Sequence, residues 1–371
     1  MLDQRITAAG LLAACSAAAV AGTPMFDNTL GQPGFGGSYA AAFAVHDDGS
    51  GESLFATGQF SATGVAGTSN LARWDGSAWQ SVGGGLTGQY SNTLAVFQGD
   101  LIAGGYFDSA GGVAGTAKLA RWDGTQWNSM NAMSESFLNS IWDLQVFDDG
   151  SGEKLFVAGN YVDIGGTGGP DHLATWDGSS YAPVGQTIGG AVPLIVLDLA
   201  VADLGGGDKL YAGGRFLEIG GVPANNIAEW DGSGWSALGG GLTQSSGFAQ
   251  VLTMTEFDDG NGPALYAGGS FQFAGGNPAV RVAKWDGTAW SPVGAGFQST
   301  VYELIVFNDG SGDALYALGS FAAASGGIDH IAKWNGTAWE QVGSGANANI
   351  FGAIVADIGD GPALHIGGSF T

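Results

Sequence analysis

Apolar and polar positions alternate in short runs along most of the chain, and beyond the first twenty or so residues no segment keeps the 3.6-residue period of a helix. The stretch from Tyr302 to Phe307 alternates and then runs apolar, as a strand does when it becomes buried on both faces. A polar turn follows from Asn308 to Asp313. A second apolar run, Ala314 to Phe321, carries glycine near its end, where neighbouring backbones approach closely. After a glycine-rich loop come two more short runs, from Ile331 to Trp334 and from Trp339 to Val342, joined through Asn335-Gly336. Asn-Gly and Asp-Gly between strands signal a hairpin, because the turn needs residues that accept positive φ. The pattern predicts four short antiparallel strands in about 50 residues.

That unit recurs. Trp-Asp-Gly occurs at Trp74, Trp122, Trp176, Trp230 and Trp285, and as Trp-Asn-Gly at Trp334. Five residues after each stands a second aromatic: Trp79, Trp127, Tyr181, Trp235, Trp290 and Trp339. Only Trp142, among 12 tryptophans, lies off these positions. A third landmark, small-Gly-x-aromatic, ends at Phe60, Phe107, Tyr161, Phe216, Phe271, Phe321 and Phe370. Repeated four-stranded units that cannot bury both faces alone pack around a ring. The expected fold is therefore all-β, a seven-bladed β-propeller of four-stranded antiparallel blades occupying residues 22–371. The repeated aromatics are expected to be packing between blades. There are six Trp-Asp-Gly landmarks against seven glycine-aromatic ones, and Phe26-Asp27-Asn28 is the candidate for the missing one. The last blade would then combine residues 349–371 with outer strands from 22–36, which removes an exposed edge. A truncated product with further blades or an anchor beyond it is the alternative.

A hydrophobic strand ending in Gly-Gly, then an aromatic, then Trp several residues later resembles the kelch repeat and the central domain of galactose oxidase; Gly213-Gly214, Trp230 and Trp235 show that order. The chain also resembles secreted bacterial Trp-Asp-Gly repeat proteins and the repeat region of a fungal cortical polarity marker. The resemblance implies architecture; propellers host many functions. The copper oxidase chemistry of that enzyme relative needs a Tyr–Cys pair and histidine ligands. The single cysteine here, Cys15, lies in the N-terminal segment, so that activity is not expected.

Composition narrows the function. Glycine makes up 69 of 371 residues, and 34 acidic against 10 basic residues give a net charge of −24. A nucleic-acid partner is not expected without a basic surface, and one cysteine excludes a disulfide scaffold. The apolar run Ile6 to Val20 follows Arg5 and precedes a small-x-small site, Ala19-Val20-Ala21, so residues 1–21 read as a cleaved secretory signal. Leu12-Ala13-Ala14-Cys15 also resembles a lipoprotein box, which would anchor Cys15 to lipid. No other run is long enough to span a bilayer as a helix. Secretion or surface exposure follows.

Candidate chemistry is sparse. His46, His172, His330 and His365 each occupy a slot that other repeats fill with Phe, Asn, Arg or Tyr, as packing residues do. The first-to-second strand turns are acidic: Asp47-Asp48 with Glu52, Asp148-Asp149 with Glu153, Asp258-Asp259, and Asp309 with Asp313. Oxygen donors separated by glycine are candidates for Ca²⁺; the alternative is a solvated hairpin whose Asp and Gly satisfy turn geometry. Asp108, Asp163 and Glu218, each just after an aromatic landmark, are candidate acid–base carboxylates for a glycan substrate. The leading expectation is a non-catalytic binding propeller with a protein or polysaccharide partner. A glycan-active enzyme and a calcium-stabilised envelope or matrix module are the alternatives.

Overall fold

The computed structural model describes residues 5–8, 26–27, 35–62, 65–131, 140–166, 172–185, 188–189, 194–322, 327–357 and 361–369. They form seven four-stranded sheets and two small three-stranded ones, with a single 3₁₀ turn, Ile164–Gly166, as the helical content among the described residues. Sheet I contains Phe35–Asp47, Glu52–Ala62, Leu71–Trp74 and Trp79–Ser81. Sheet II contains Leu86–Phe97, Asp100–Ala110, Leu119–Trp122 and Trp127–Ser129. The first strands of sheets III to VII are Ile141–Asp148, Ile195–Ala202, Gln250–Asp258, Val301–Asn308 and Ile350–Asp357. In sheets I to VI the four strands follow chain order and pair antiparallel. First strands contact the first strands of the neighbouring sheets from I through VII, and that of sheet VII contacts that of sheet I.

Sheet VII joins the two ends of the chain, though not by the expected hairpin. Its second strand, Pro362–Gly368, pairs in parallel with Arg5–Ala8, and that strand pairs in parallel with Phe26–Asp27. Residues 22–36 therefore do not supply an antiparallel pair: Phe35–Asp47 opens sheet I, and Arg5–Ala8 comes from the segment expected to be a leader. A parallel neighbour cannot be reached by a tight turn, so both strands arrive from elsewhere in the chain. Cys15, Ala19-Val20-Ala21 and Phe370 lie outside the described residues.

Every first strand carries a register shift at the same place. The ladder skips one residue at Ala41, Asn92, Trp142, Leu197, Leu252, Tyr302 and Phe351. These are β-bulges, which bend the strand and re-aim its side chains. The glycine of the small-Gly-x-aromatic landmark faces the bulge in sheets I to VI. A Cβ on Gly58, Gly105, Gly159, Gly214, Gly269 or Gly319 would lie well under 3.0 Å from backbone atoms of the first strand. The N–H of each of these six glycines then bonds the carbonyl of one left-handed residue: Asn70, Lys118, His172, Asn226, Arg281 and His330 in turn, with φ between 48 and 76°. This explains why His172 and His330 exchange with Asn and Arg: the slot is set by backbone, and Asn70 and Asn226 add side-chain bonds to Phe60 N and Phe216 N.

Sheets meet through the repeated aromatics. Trp74 and Trp79 stand directly opposite each other across the third and fourth strands, with ring centroids 5.6 Å apart, and Trp285 and Trp290 repeat this at 5.3 Å. The second tryptophan also reaches the preceding sheet. The indole N–H of Trp127, Trp235, Trp290 and Trp339 donates to the carbonyls of Val82, Val184, Leu238 and Val293, at 3.2, 3.4, 2.8 and 3.1 Å. Gly239 follows Leu238 with φ +50°, and a Cβ there would sit 2.6 Å from the Trp285 ring. Trp-Asp-Gly itself closes the outer hairpin. The Asp286 carboxylate accepts from the Thr288 and Ala289 backbone N–H groups and from the Thr288 hydroxyl. Asn335 holds the corresponding backbone groups with its amide oxygen, which explains the one substitution in the motif.

Two substitutions separate these contacts. Trp290→Phe keeps the ring but strands the buried Leu238 carbonyl, and is expected to cost roughly 1–3 kcal/mol in denaturant unfolding. Gly214→Ala forces backbone apart at the bulge and is expected to cost roughly 1–3 kcal/mol or more.

Candidate functional site

The bulges define a cavity. A space of about 400 Å³ is lined by the bulge residues of all seven first strands, Ala41, Asn92, Trp142, Leu197, Leu252, Tyr302 and Phe351. Tyr39 and the residues that follow several bulges complete it: Ala42, Thr93, Asp143, Asp198 and Glu303. Its size suits a small molecule. Chemistry is divided around the wall. Sheets VI, VII and I contribute an aromatic arc, with Tyr302 and Phe351 centroids 5.0 Å apart and Phe351 and Tyr39 4.9 Å apart. Sheets III, IV and VI contribute the three carboxylates.

These carboxylates are enclosed by protein, with only part of their surface reached from the cavity. Burial pushes the Asp143 carboxyl up to about 6, against bonds from the Leu199 and Leu144 N–H groups and the Thr93 hydroxyl that favour its charge. Burial pushes Glu303 up to about 8, although the Thr253 hydroxyl and the Leu304 N–H hold it. Asp198 is raised well above its ordinary value, by burial first and then by the charges of Asp143 and Glu303. One of its oxygens, Oδ2, is buried without a hydrogen-bond partner, as is the Trp142 indole N–H. Among the described residues no basic side chain lines the cavity.

Sequence reasoning passed over this site. Trp142 stands off the repeat pattern, and Asp143 follows it directly. The signal was a charged residue inside an apolar first strand, as in Ile141-Trp142-Asp143-Leu144, Val196-Leu197-Asp198-Leu199 and Val301-Tyr302-Glu303-Leu304. In a strand buried on both faces a lone carboxylate needs a reason.

The acidic turns are occupied by their own hairpins. Oδ1 of Asp47, Asp148 and Asp258 accepts two backbone N–H bonds, from the glycines two and four residues on. The next acid pairs with a base: Asp48 with Arg73 at 2.9 Å, Asp149 with Lys154 at 3.4 Å, Asp259 with Lys284 at 2.7 Å, Asp309 with Lys333 at 2.6 Å. Burial works against the Asp309 charge, yet Lys333, Ser311 and Tyr316 hold its carboxyl at about 2. Asp258, Asp259 and Asp313 border a second, more polar space of about 410 Å³ that Lys333 enters. Glu52 and Glu153 begin second strands. Among the described residues no group of three or more His, Cys, Asp or Glu is arranged to hold a metal ion. The loop carboxylates stand apart from the cavity. Asp108 is exposed and pairs with Lys118 at 3.5 Å, Asp163 is left-handed before the 3₁₀ turn, and Glu218 begins a two-residue strand. His365 is wholly buried and its pKa is pushed down to about 4 by burial, in register with Ile354 as Tyr316 is with Ile305.

Glu303 yields a pH signature. Between its ordinary value of 4.5 and about 8, the folded chain holds a proton that the unfolded chain has released. Stability is therefore expected to fall as pH rises through that window and to level off above it. Melts of Glu303→Gln should show a flatter profile than the parent. For the acidic turns, melts with Ca²⁺ and with excess chelator at fixed ionic strength should coincide, because the carboxylates already hold N–H and ammonium partners.

No protein family and no curated protein matches the sequence. Solved structures do. Two structures of the extracellular domain of BT4673 from B. thetaiotaomicron, described in one case as a one-component and in the other as a hybrid two-component system, each superpose with a TM-score of 0.53. Sequence identity is 10% and 11%, with 90% of this chain covered and 38% and 37% of those chains. This chain thus spans less than two-fifths of their length. YjhT aligns over 81% of this chain and 95% of its own at 13% identity and a TM-score of 0.42. At such identities the likeness to the extracellular domains concerns the all-β fold alone. Among the described residues no helix is long and apolar enough to cross a membrane.

Proposed function

We propose that the chain is a seven-bladed, kelch-like β-propeller that works outside the cytoplasm as a non-catalytic binding module, with its ligand held in the cavity where the seven first strands meet. The observation that carries this reading is the repeated bulge: seven sheets each offer one re-aimed side chain to the same space. The return of contacts from sheet VII to sheet I supports a ring, and the pairing of the two chain ends in sheet VII supports its closure. The N-terminal apolar run and the extracellular domains that share the fold support the location. A catalytic reading has one observation in its favour. Asp143 near 6 and Glu303 near 8 give two carboxyls of different protonation in one cavity, as acid–base work on a glycan requires.

A ligand panel of neutral oligosaccharides, amino acids and diamines, read by thermal shift on the full chain, tests the proposal. Leu197→Trp narrows the cavity using the residue that the equivalent position already holds in sheet III, Trp142. At least one class should stabilise the parent, and the effect should drop about tenfold in apparent affinity in the variant. Shifts that survive in Leu197→Trp, or a panel with no shift, overturn the cavity as the site. Release of reducing sugar moves the conclusion to the enzyme.

A further inference from the structure

We propose that the cavity takes a small organic cation bearing primary or secondary ammonium groups, held between the carboxylates of Asp143, Asp198 and Glu303 and the aromatic faces of Tyr39, Tyr302 and Phe351. This rests on the reading of the cavity as a binding site and names the chemistry of its ligand.

The argument begins with where the chain spends its cations. It has only 10 lysines and arginines. Arg73, Lys154, Lys284 and Lys333 neutralise turn carboxylates at the surface, one in each of four sheets. Among the described residues the three carboxylates that line the cavity receive none, and their neighbours from every sheet around it are neutral or aromatic: Ala42, Asn92, Thr93, Trp142, Leu197, Leu252, Tyr302, Phe351. An isolated acid in such a place is expensive, and three whose charges oppose one another are more so. Asp198 Oδ2 is the sharpest instance, a buried acceptor with nothing donating to it. The Met254 N–H already favours the charge of Asp198, so what the three acids lack is a countercharge, and a ligand ammonium in the cavity supplies it.

The rest of the wall selects among cations. The acids come from three sheets and do not converge in the manner of a metal site, which suits several N–H donors spread over a chain rather than one point charge. Tyr302, Phe351 and Tyr39 line one arc of the wall, with neighbouring rings tilted 49° and 54° to each other, and a cation that reaches an aromatic face is attracted by the ring quadrupole. Protonated acids must release protons to accept an ammonium, so affinity should climb with pH while Asp143, Asp198 and Glu303 ionise.

The probe is putrescine, titrated calorimetrically into the full chain at fixed ionic strength. Binding should be saturable at one site and tighten by about tenfold between pH 6 and pH 8.5. Asp198→Asn and Glu303→Gln should each weaken it at least tenfold. Asp148→Asn, a turn acid whose slot Asn308 fills in sheet VI, should leave it unchanged and so report on non-specific attraction to the acidic surface. No binding by the parent, equal binding in Asp198→Asn, or equal losses in Asp148→Asn overturns the proposal. A neutral oligosaccharide that binds and is excluded by Leu197→Trp, with putrescine inert, overturns the cation and leaves the cavity as a binding site. Failure of every ligand in that comparison removes both.

Discussion

The structure depends on one close approach: in six of the seven sheets a glycine of the second strand lies against the backbone at or just before the bulged first strand beside it. No side chain fits there, and the glycine N–H is fixed by a left-handed residue before the third strand. Three features that look separate in the sequence are thus one device. The glycine admits the bulge, the bulge turns one side chain out of the packed face, and the left-handed residue starts the strand that carries the first tryptophan. Between sheets, the paired indoles and the backbone carbonyl each second tryptophan reaches fix how one unit leans on the next.

Charge is used in two opposed ways. At the rims, carboxylates are hairpin parts. Asp75 and Asp231 accept first from the serine hydroxyls two residues on and also from backbone N–H groups, and their carboxyls are held down to about 2. At the centre, burial drives the same functional group in the other direction. A chain of net charge −24 is therefore not uniformly acidic in behaviour: Asp75 and Asp231 stay ionised to low pH, while Glu303 holds a proton near neutrality.

Much of the fold was legible because its rules are local. Asp-Gly turns, paired aromatics five residues apart and the glycine before an aromatic each report one contact, and each recurs at a fixed interval. Histidines exchanging with Asn and Arg were correctly legible as frame residues, and the structure adds that the frame is a left-handed backbone. The N-terminal contribution to sheet VII was not legible in detail, since parallel pairing between distant segments leaves no hairpin signature at Phe26-Asp27. The site was harder still. Asp143, Asp198 and Glu303 are scattered over 160 residues, and only the shared bulge register brings them together. Attention went to carboxylates in turns and loops, where acids are frequent for reasons of turn geometry, rather than to three acids inside apolar strands, where each is an exception.

The bulge position also separates two kinds of evolutionary constraint. Ala, Asn, Trp, Leu, Leu, Tyr and Phe occupy that one register in successive sheets, a wide range of size and polarity. Because the ladder skips the residue, its side chain is freed from the cross-strand pairing of its own sheet. Drift at these seven positions can thus alter the lining of the cavity while leaving the ladder of each sheet in place. Repeated units of this type carry a built-in variable letter, and a protein assembled from them can change the wall of its cavity faster than it changes shape.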